Sequence, residues 1–470
     1  MLTSWRTQHH RSEVRCALWV IACFSLTSAV YLSWVYRLVA LKGGSAVDWI
    51  TLVLGYISQA AGLALVSRAQ RAARGINRRQ WFAVALLLFA LLSIPTLMGD
   101  HFAGSALFGL LMNAACGVIA GLYLYGVSEA DGHAHSSFIF GVGYAVATFA
   151  VGLLAVPGDG MLIRGPGMLL ICLMSCLGLA VAARHSPFFD AREEAGPAAA
   201  SQPGLPAKTL AMACAAVLLA SMVKNLGFTF PSSDISVGLR PEYSRIPYGI
   251  GLIVAGWIND KNRKNGIICT LIALAIPFIM LSVQSEPVSR TVLWGLDYLF
   301  YSFFTVTRVI LFMDIAHRTH RWELVPAGLL MGRLGDAAGT AIGMLLAGQR
   351  LALIVLTVLC FSLAVVLLFR LYQRLYEPRA VEKRSEQELF ETFCLRHDLT
   401  ARERDILRML LENRTNAEIT EGLFISENTV KYHVRNILQK TGCKNRIDLQ
   451  RQYRLTLSSQ LGEPPELKLM

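Results

Sequence analysis

Charge is what this sequence has least of. Only 16% of its 470 residues are charged, and the 32 acidic residues are fewer than the 44 basic ones, while 54% are hydrophobic. With a mean hydropathy of +0.47, that scarcity excludes an ordinary soluble globular chain and assigns most of the sequence to a lipid bilayer. A cysteine framework is also missing. Cys16, Cys23, Cys116, Cys172, Cys176, Cys214, Cys269 and Cys360 fall inside apolar runs, and Cys394 and Cys443 lie near the C-terminus, with no disulfide or zinc spacing among them. Cys172 and Cys176, four apart on one helix face, read as small packing residues rather than a redox or metal pair. His133 and His135 share a loop, but two histidines without further fixed ligands specify no metal site. The soluble parts hold no constellation of nucleophile, base and phosphate loop, which argues against an enzyme and calls for no cofactor.

What the chain has instead is long apolar runs. Residues 1–15 carry Arg6, Arg11 and Arg15, and 21 uncharged residues follow to position 36, enough to span a bilayer. This reads as a retained first helix rather than a cleaved signal, because further spans follow directly. Runs at 49–67, 81–98, 102–127, 137–156 and 166–183 make six. After a connector rich in Pro, Ala and Gly at 184–208, runs at 209–230, 246–258, 266–283, 291–313, 324–347 and 351–369 make twelve. The eighth has only 13 clearly apolar residues, and losing it would invert everything downstream. Under the twelve-span reading, the loops on the side of the termini hold sixteen Lys and Arg against seven on the other side. The positive-inside rule therefore places both termini in the cytoplasm of a multi-pass cell-membrane protein.

Six spans, a long middle loop and six more resemble the major facilitator superfamily of transporters. The residue-level support is Gly256, Asp260, Lys261 and Lys264, which resemble the superfamily's GxxxD[RK]xG[RK] loop after the eighth span. Arg263 stands where that pattern wants Gly. The loop after span two keeps Arg68 to Arg79 but lacks the Asp, so the likeness over residues 16–369 is mainly one of layout.

An ionisable side chain inside a bilayer costs about 2.5–3.5 kcal/mol on insertion scales, so it normally faces a cavity or a partner. Lys224 falls in span seven, Asp297 and Arg308 in span ten, and Arg333 and Asp336 in span eleven. Asp297 and Arg308 are separated by three helical turns, about 16 Å on one face, and Lys224 comes out at a depth similar to that of Asp297. In the superfamily, spans one, four, seven and ten line the central cavity. The resemblance therefore places Lys224, Asn225, Asp297 and Arg308 there, joined by Asn113 and Tyr31. Two readings stand for this set: a polar pocket for a small anionic or phenolic ligand, or interhelical salt bridges holding the bundle. Arg333 and Asp336, at i,i+3, satisfy each other. Gly328, Gly332, Gly335, Gly339 and Gly343 make a close-packing side of span eleven.

The C-terminal region has a different grammar. Thr400 with Glu403, and Thr415 with Glu418, have capping-box spacing, and Ser426 is placed to cap a third helix after a turn of a few residues. Ile406, Leu407, Leu410 and Leu411 repeat at helical spacing. In the third helix, Val430, Val434 and Ile437 share one face, while Asn428, Lys431, Tyr432 and Arg435 project from the other. This is a helix-turn-helix whose polar face suits a DNA major groove, the alternative being a solvated helix face. The runs LTxRExxIL, NxEI and LFISExTVKxHVxNIxxKTGxxNRxDL resemble the LuxR-type helix-turn-helix over about fifty residues. Arg414, Thr415, Asn416 and Cys443 are mild departures. The resemblance implies that Lys431, Tyr432 and Arg435 face bases and that Thr429, His433 and Lys440 lie near the DNA backbone. It also implies that the helix from Asn445 to Tyr453 makes a dimer contact.

Residues 370–398 join the two parts without a long flexible tether. Leu389, Phe390 and Phe393 are positioned to pack on the reader, and no receiver-type domain intervenes. The expected protein is all-α: a polytopic bundle of about twelve spans over 16–369, then a four-helix LuxR-type domain at 399–453 and a tail at 454–470. The expected function is a membrane-integrated one-component transcription regulator, working on double-stranded DNA as a homodimer and controlled by a small-molecule ligand. The alternative is a transporter with regulatory output.

Overall fold

The computed structural model describes residues 2–72, 77–129, 135–155, 165–189, 206–227, 241–275, 287–376 and 386–461. All regular structure among them is helical, and the chain divides into two compact units, Met1–Tyr376 and Glu377–Met470.

Twelve helices of the first unit correspond to the twelve expected spans. They are α1 (Leu2–Leu41), α2 (Gly55–Ala72), α3 (Arg78–Met98), α4 (Phe102–Glu129), α5 (Ser136–Ala155) and α6 (Pro166–His185). The second six are α7 (Ala207–Gly227), α8 (Pro241–Lys261), α9 (Arg263–Ala273), α10 (Pro287–Thr319), α11 (Ala327–Leu345) and α12 (Arg350–Leu375). A short helix and a π-helical turn, Trp49–Leu54, lead into α2. Among the described residues, nine segments are long and apolar enough to cross a membrane; α8, α9 and α11 are not. For α8 the structure supplies helix length but not apolar length. The helix is 21 residues long and begins at Pro241, a residue suited to a first helical turn because it lacks the amide hydrogen left unbonded there. Likewise α12 runs to Leu375, past the expected boundary at 369.

The two halves meet where α5 packs along α8 and α2 along α11. Helix association in lipid depends on close backbone approach, and Gly62 shows how close. A Cβ there would lie 2.0 Å from the Ala114 carbonyl oxygen of α4. The glycine side of α11 does similar work: a Cβ on Gly332 would lie 2.5 Å from the Arg308 guanidinium. A small residue at that point makes room for a buried cation.

One end of the bundle is knotted by charge. Asp260 accepts the amide hydrogens of Ser137 (3.1 Å) and Phe138 (2.8 Å), neutralising orphan donors at the start of α5. Arg263, where the superfamily pattern wants Gly, bonds Asp260 and reaches Asp314 of α10 at 3.2 Å. The Tyr376 hydroxyl donates to the same Asp314, and Arg318 donates to the Leu375 carbonyl while lying 5.2 Å from the Tyr376 ring centroid.

The second unit contains α13 (Glu386–Arg396), α14 (Ala401–Leu411), α15 (Asn416–Leu423), α16 (Glu427–Thr441) and α17 (Arg446–Leu461). Phe393, Ile406, Leu407, Leu410, Ile419, Val430, Ile437 and Leu449 form its own core. Phe390 and Phe393 pack on Tyr453, as their spacing suggests, so the folded unit begins before the expected boundary at 399. Leu389 is not among the side chains described.

Candidate functional site

The three helices α14, α15 and α16 start where the sequence supplies a cap. Thr400 and Thr415 both form complete capping boxes, and the Ser426 hydroxyl accepts from the Thr429 amide at 3.2 Å. The turn between α15 and α16 contains no glycine; Phe424 takes the left-handed conformation instead (φ 55°) and is 93% exposed. Across that turn α16 buries Val430 and Ile437 and packs Val434 on the core, which leaves Asn428, Lys431, Tyr432 and Arg435 exposed. Lys431 pairs with Glu427 at 2.9 Å, but both are more than half exposed, so the pair is weak and yields readily to a phosphate or a base.

The expected backbone contacts divide. Thr429 is half-buried, with its hydroxyl 2.8 Å from that of Ser426. His433 is half-buried, and its Nδ1 has no hydrogen-bond partner among the described residues. Lys440 departs from the expectation. Its ammonium donates to the Glu403 carboxylate (2.7 Å) and the Asp398 carbonyl (2.9 Å), so it serves the domain's interior rather than presenting a free charge. Burial pushes the Glu403 carboxyl up, but the Lys440 ammonium and the Thr400 hydrogen bonds outweigh it and hold the group below the ordinary carboxylate range.

In the membrane unit a cavity of about 210 Å³ lies between the halves, lined from α1, α2, α4, α5, α7, α8, α10 and α11. Of the six expected residues, Tyr31, Lys224 and Arg308 line it. Asn113 and Asn225 do not. Asn113 accepts from Gln59 (2.7 Å) and donates to the Gly109 carbonyl, and Asn225 donates to Asp336 (2.8 Å) and to the Ser221 carbonyl. Each amide is engaged by one bond to a neighbouring helix and one within its own. Asp297 falls in α10, but its side chain lies outside those described.

Two features were not foreseen. Arg333 lines the cavity, because Asp336 is shared: its Oδ2 lies 3.3 Å from Arg308 and 3.6 Å from Arg333. The i,i+3 pair exists, but a second arginine competes for it. The walls are also rich in tyrosine, including Tyr56, Tyr144, Tyr248 and Tyr301. Lys224 Nζ lies 4.0 Å from the Tyr301 ring centroid and the Arg333 guanidinium 4.8 Å from that of Tyr56. Uncharged tyrosines scattered over six helices give no pattern along the chain that marks a common wall. His135 pairs with Glu13 at 2.8 Å, His133 is outside the described residues, and no metal-holding group occurs among the described residues.

A helical membrane bundle with a central polar cavity and a C-terminal helix-turn-helix thus share one chain. Residues 397–452 match the sequence model of the bacterial regulatory proteins of the luxR family, so the C-terminal unit is a LuxR-family helix-turn-helix domain. Over 48 residues it is 48% identical to the spore germination protein GerE of Bacillus subtilis, a match covering 10% of this chain and 65% of that protein. It is 52% identical over 48 residues to the CsgBAC operon transcriptional regulatory protein of Escherichia coli, covering 10% of this chain and 22% of the relative. The fold of the whole membrane unit resembles that of major facilitator transporters. A proton:xylose symporter of that superfamily aligns with a TM-score of 0.55 at 11% identity over 79% of this chain and 96% of its own. The Escherichia coli fucose:proton symporter aligns at 0.51 and 14% identity, over 76% and 97%.

Proposed function

We propose that this chain is a one-component transcription regulator built into the cell membrane, with both termini cytoplasmic. A small molecule bound in the cavity of the major-facilitator-like bundle changes how the LuxR-type unit engages DNA. The observation that carries this reading is the covalent union of a DNA-reader domain and a membrane bundle whose interior holds a lined, cationic cavity. Lys431, Tyr432 and Arg435 read base edges, Thr429 and His433 approach the phosphate backbone, and two chains pair on DNA through α17.

The test is genome-wide transcription in cells carrying the intact protein or its Lys431→Ala form, across a panel of small molecules. A ligand-dependent response lost in the variant supports the reading; the same response in both forms sinks it. The resemblance to proton symporters favours a second reading, a transporter with regulatory output. Solute flux into vesicles carrying the purified chain separates the two, because a sensor binds its ligand without moving it.

A further inference from the structure

Three cations, Lys224, Arg308 and Arg333, line the cavity. Of the acids on the helices that carry them, Asp314 is engaged by Arg263 and Tyr376, which leaves Asp336 and Asp297 against the three, so positive charge is in excess. Asp336 is already shared, with Oδ2 between the two arginines and Oδ1 accepting from Asn225. Arg308 is only 2% exposed, and its Nε–H and that of Arg333 are buried without an acceptor among the described residues. Guanidinium groups present rigid forks of N–H donors suited to a carboxylate, and leaving such donors unmet is unfavourable. Aromatic walls elsewhere take cationic guests, but here the Tyr301 and Tyr56 rings already carry Lys224 and Arg333. A neutral guest would leave the excess charge uncompensated. The volume, about 210 Å³, compares with roughly 150 Å³ for a cavity that admits benzene. One ring and a small polar group fill it.

We infer that the guest is a small single-ring carboxylate, its carboxylate received by the guanidinium groups of Arg308 and Arg333 and its ring held among the tyrosines. This rests on the sensing role proposed above for the same cavity.

The test is calorimetric titration of the full-length chain in lipid nanodiscs. The probes are benzoate, phenylacetate and 4-hydroxybenzoate, each beside its primary amide, and also fucose and xylose. At least one acid is expected to bind saturably, with its amide weaker by about tenfold or more. Arg333→Lys keeps the charge beside Asp336 but removes the planar guanidinium fork, and is expected to weaken the acid by a similar factor with the melting temperature unchanged. If that variant fails to fold, Arg308→Lys takes its place. Equal binding of an amide or a sugar, undiminished acid affinity in a folded lysine variant, or no acid binding at millimolar concentration each overturns the inference. DNA retention in the same nanodiscs separates the two claims. An acid that binds without altering DNA retention upholds the ligand class and defeats the sensing role, whereas a sugar that alters retention does the reverse.

Discussion

Replacing Lys440 with alanine distinguishes two roles for one lysine. Its ammonium makes two contacts inside the reader, with the Glu403 carboxylate at 2.7 Å and the Asp398 carbonyl at 2.9 Å. Hydrogen bonds to charged groups contribute about 1.5–3 kcal/mol. The Lys440 side chain is 34% exposed, and discounting for solvent screening brings the expected loss to about 1–2 kcal/mol. For a unit of this size that lowers the melting temperature by roughly 5–15 °C. The assay is urea and thermal unfolding of residues 377–470, which carry their own core, together with DNA affinity measured against salt. A lysine serving the interior leaves the slope of log affinity against log salt unchanged, whereas a phosphate-binding lysine reduces it by about one. Glu403→Gln should reproduce most of the stability loss, and the double variant should lose less than the sum. A shallower salt slope with unaltered stability would refute the assignment.

Other expectations follow from the same geometry. Arg435→Ala should weaken DNA binding by about 1–3 kcal/mol and relax sequence preference at one position, measured by selection of bound sequences with the full chain; an unchanged selected sequence would remove Arg435 from the reading face. Acid should destabilise the reader. The Glu403 and Glu418 carboxyls are held below their ordinary range, so the stability they confer is present above the unfolded-state value of about 4.3 and lost as pH falls through the folded-state values. Urea midpoints between neutral pH and pH 3 check this, and Glu403→Gln should flatten part of the fall. Gly62→Val should prevent extraction of monodisperse protein, because its first side-chain carbon meets the Ala114 carbonyl. Gly104→Val, where a Cβ has nothing within 4 Å, should be silent.

How much of this was legible along the chain depends on the range of the interaction. The reader's caps are local, set by Thr400, Thr415 and Ser426 three residues from their partners, and so their positions could be read directly. Nine of the twelve expected spans were likewise legible as apolar lengths, whereas α8, α9 and α11 are helices that fall short of that criterion among the described residues. The cavity depends on which side chains from eight helices converge, and periodicity carries no such information. Asn113 and Asn225 looked like pocket residues because they are polar in apolar runs, yet each found a neighbouring helix to bond. Arg333 looked satisfied at i,i+3 because Arg308, distant in sequence, could not be seen competing for Asp336. Lys440 looked free because its partner Glu403 lies 37 positions earlier.

The Asp314 knot bears on more than the packing of one end of the bundle. Arg263 and Tyr376 converge on that carboxylate, and Tyr376 is the last residue of the membrane unit, directly before the chain continues toward the reader. A movement of α10 relative to Tyr376 would break that bond. Under the proposed function this makes the traffic two-way. If a guest in the cavity shifts DNA affinity by some factor, occupied DNA shifts the affinity for the guest by the same factor, and the number of promoter sites in the cell becomes one of the settings of the sensor's threshold.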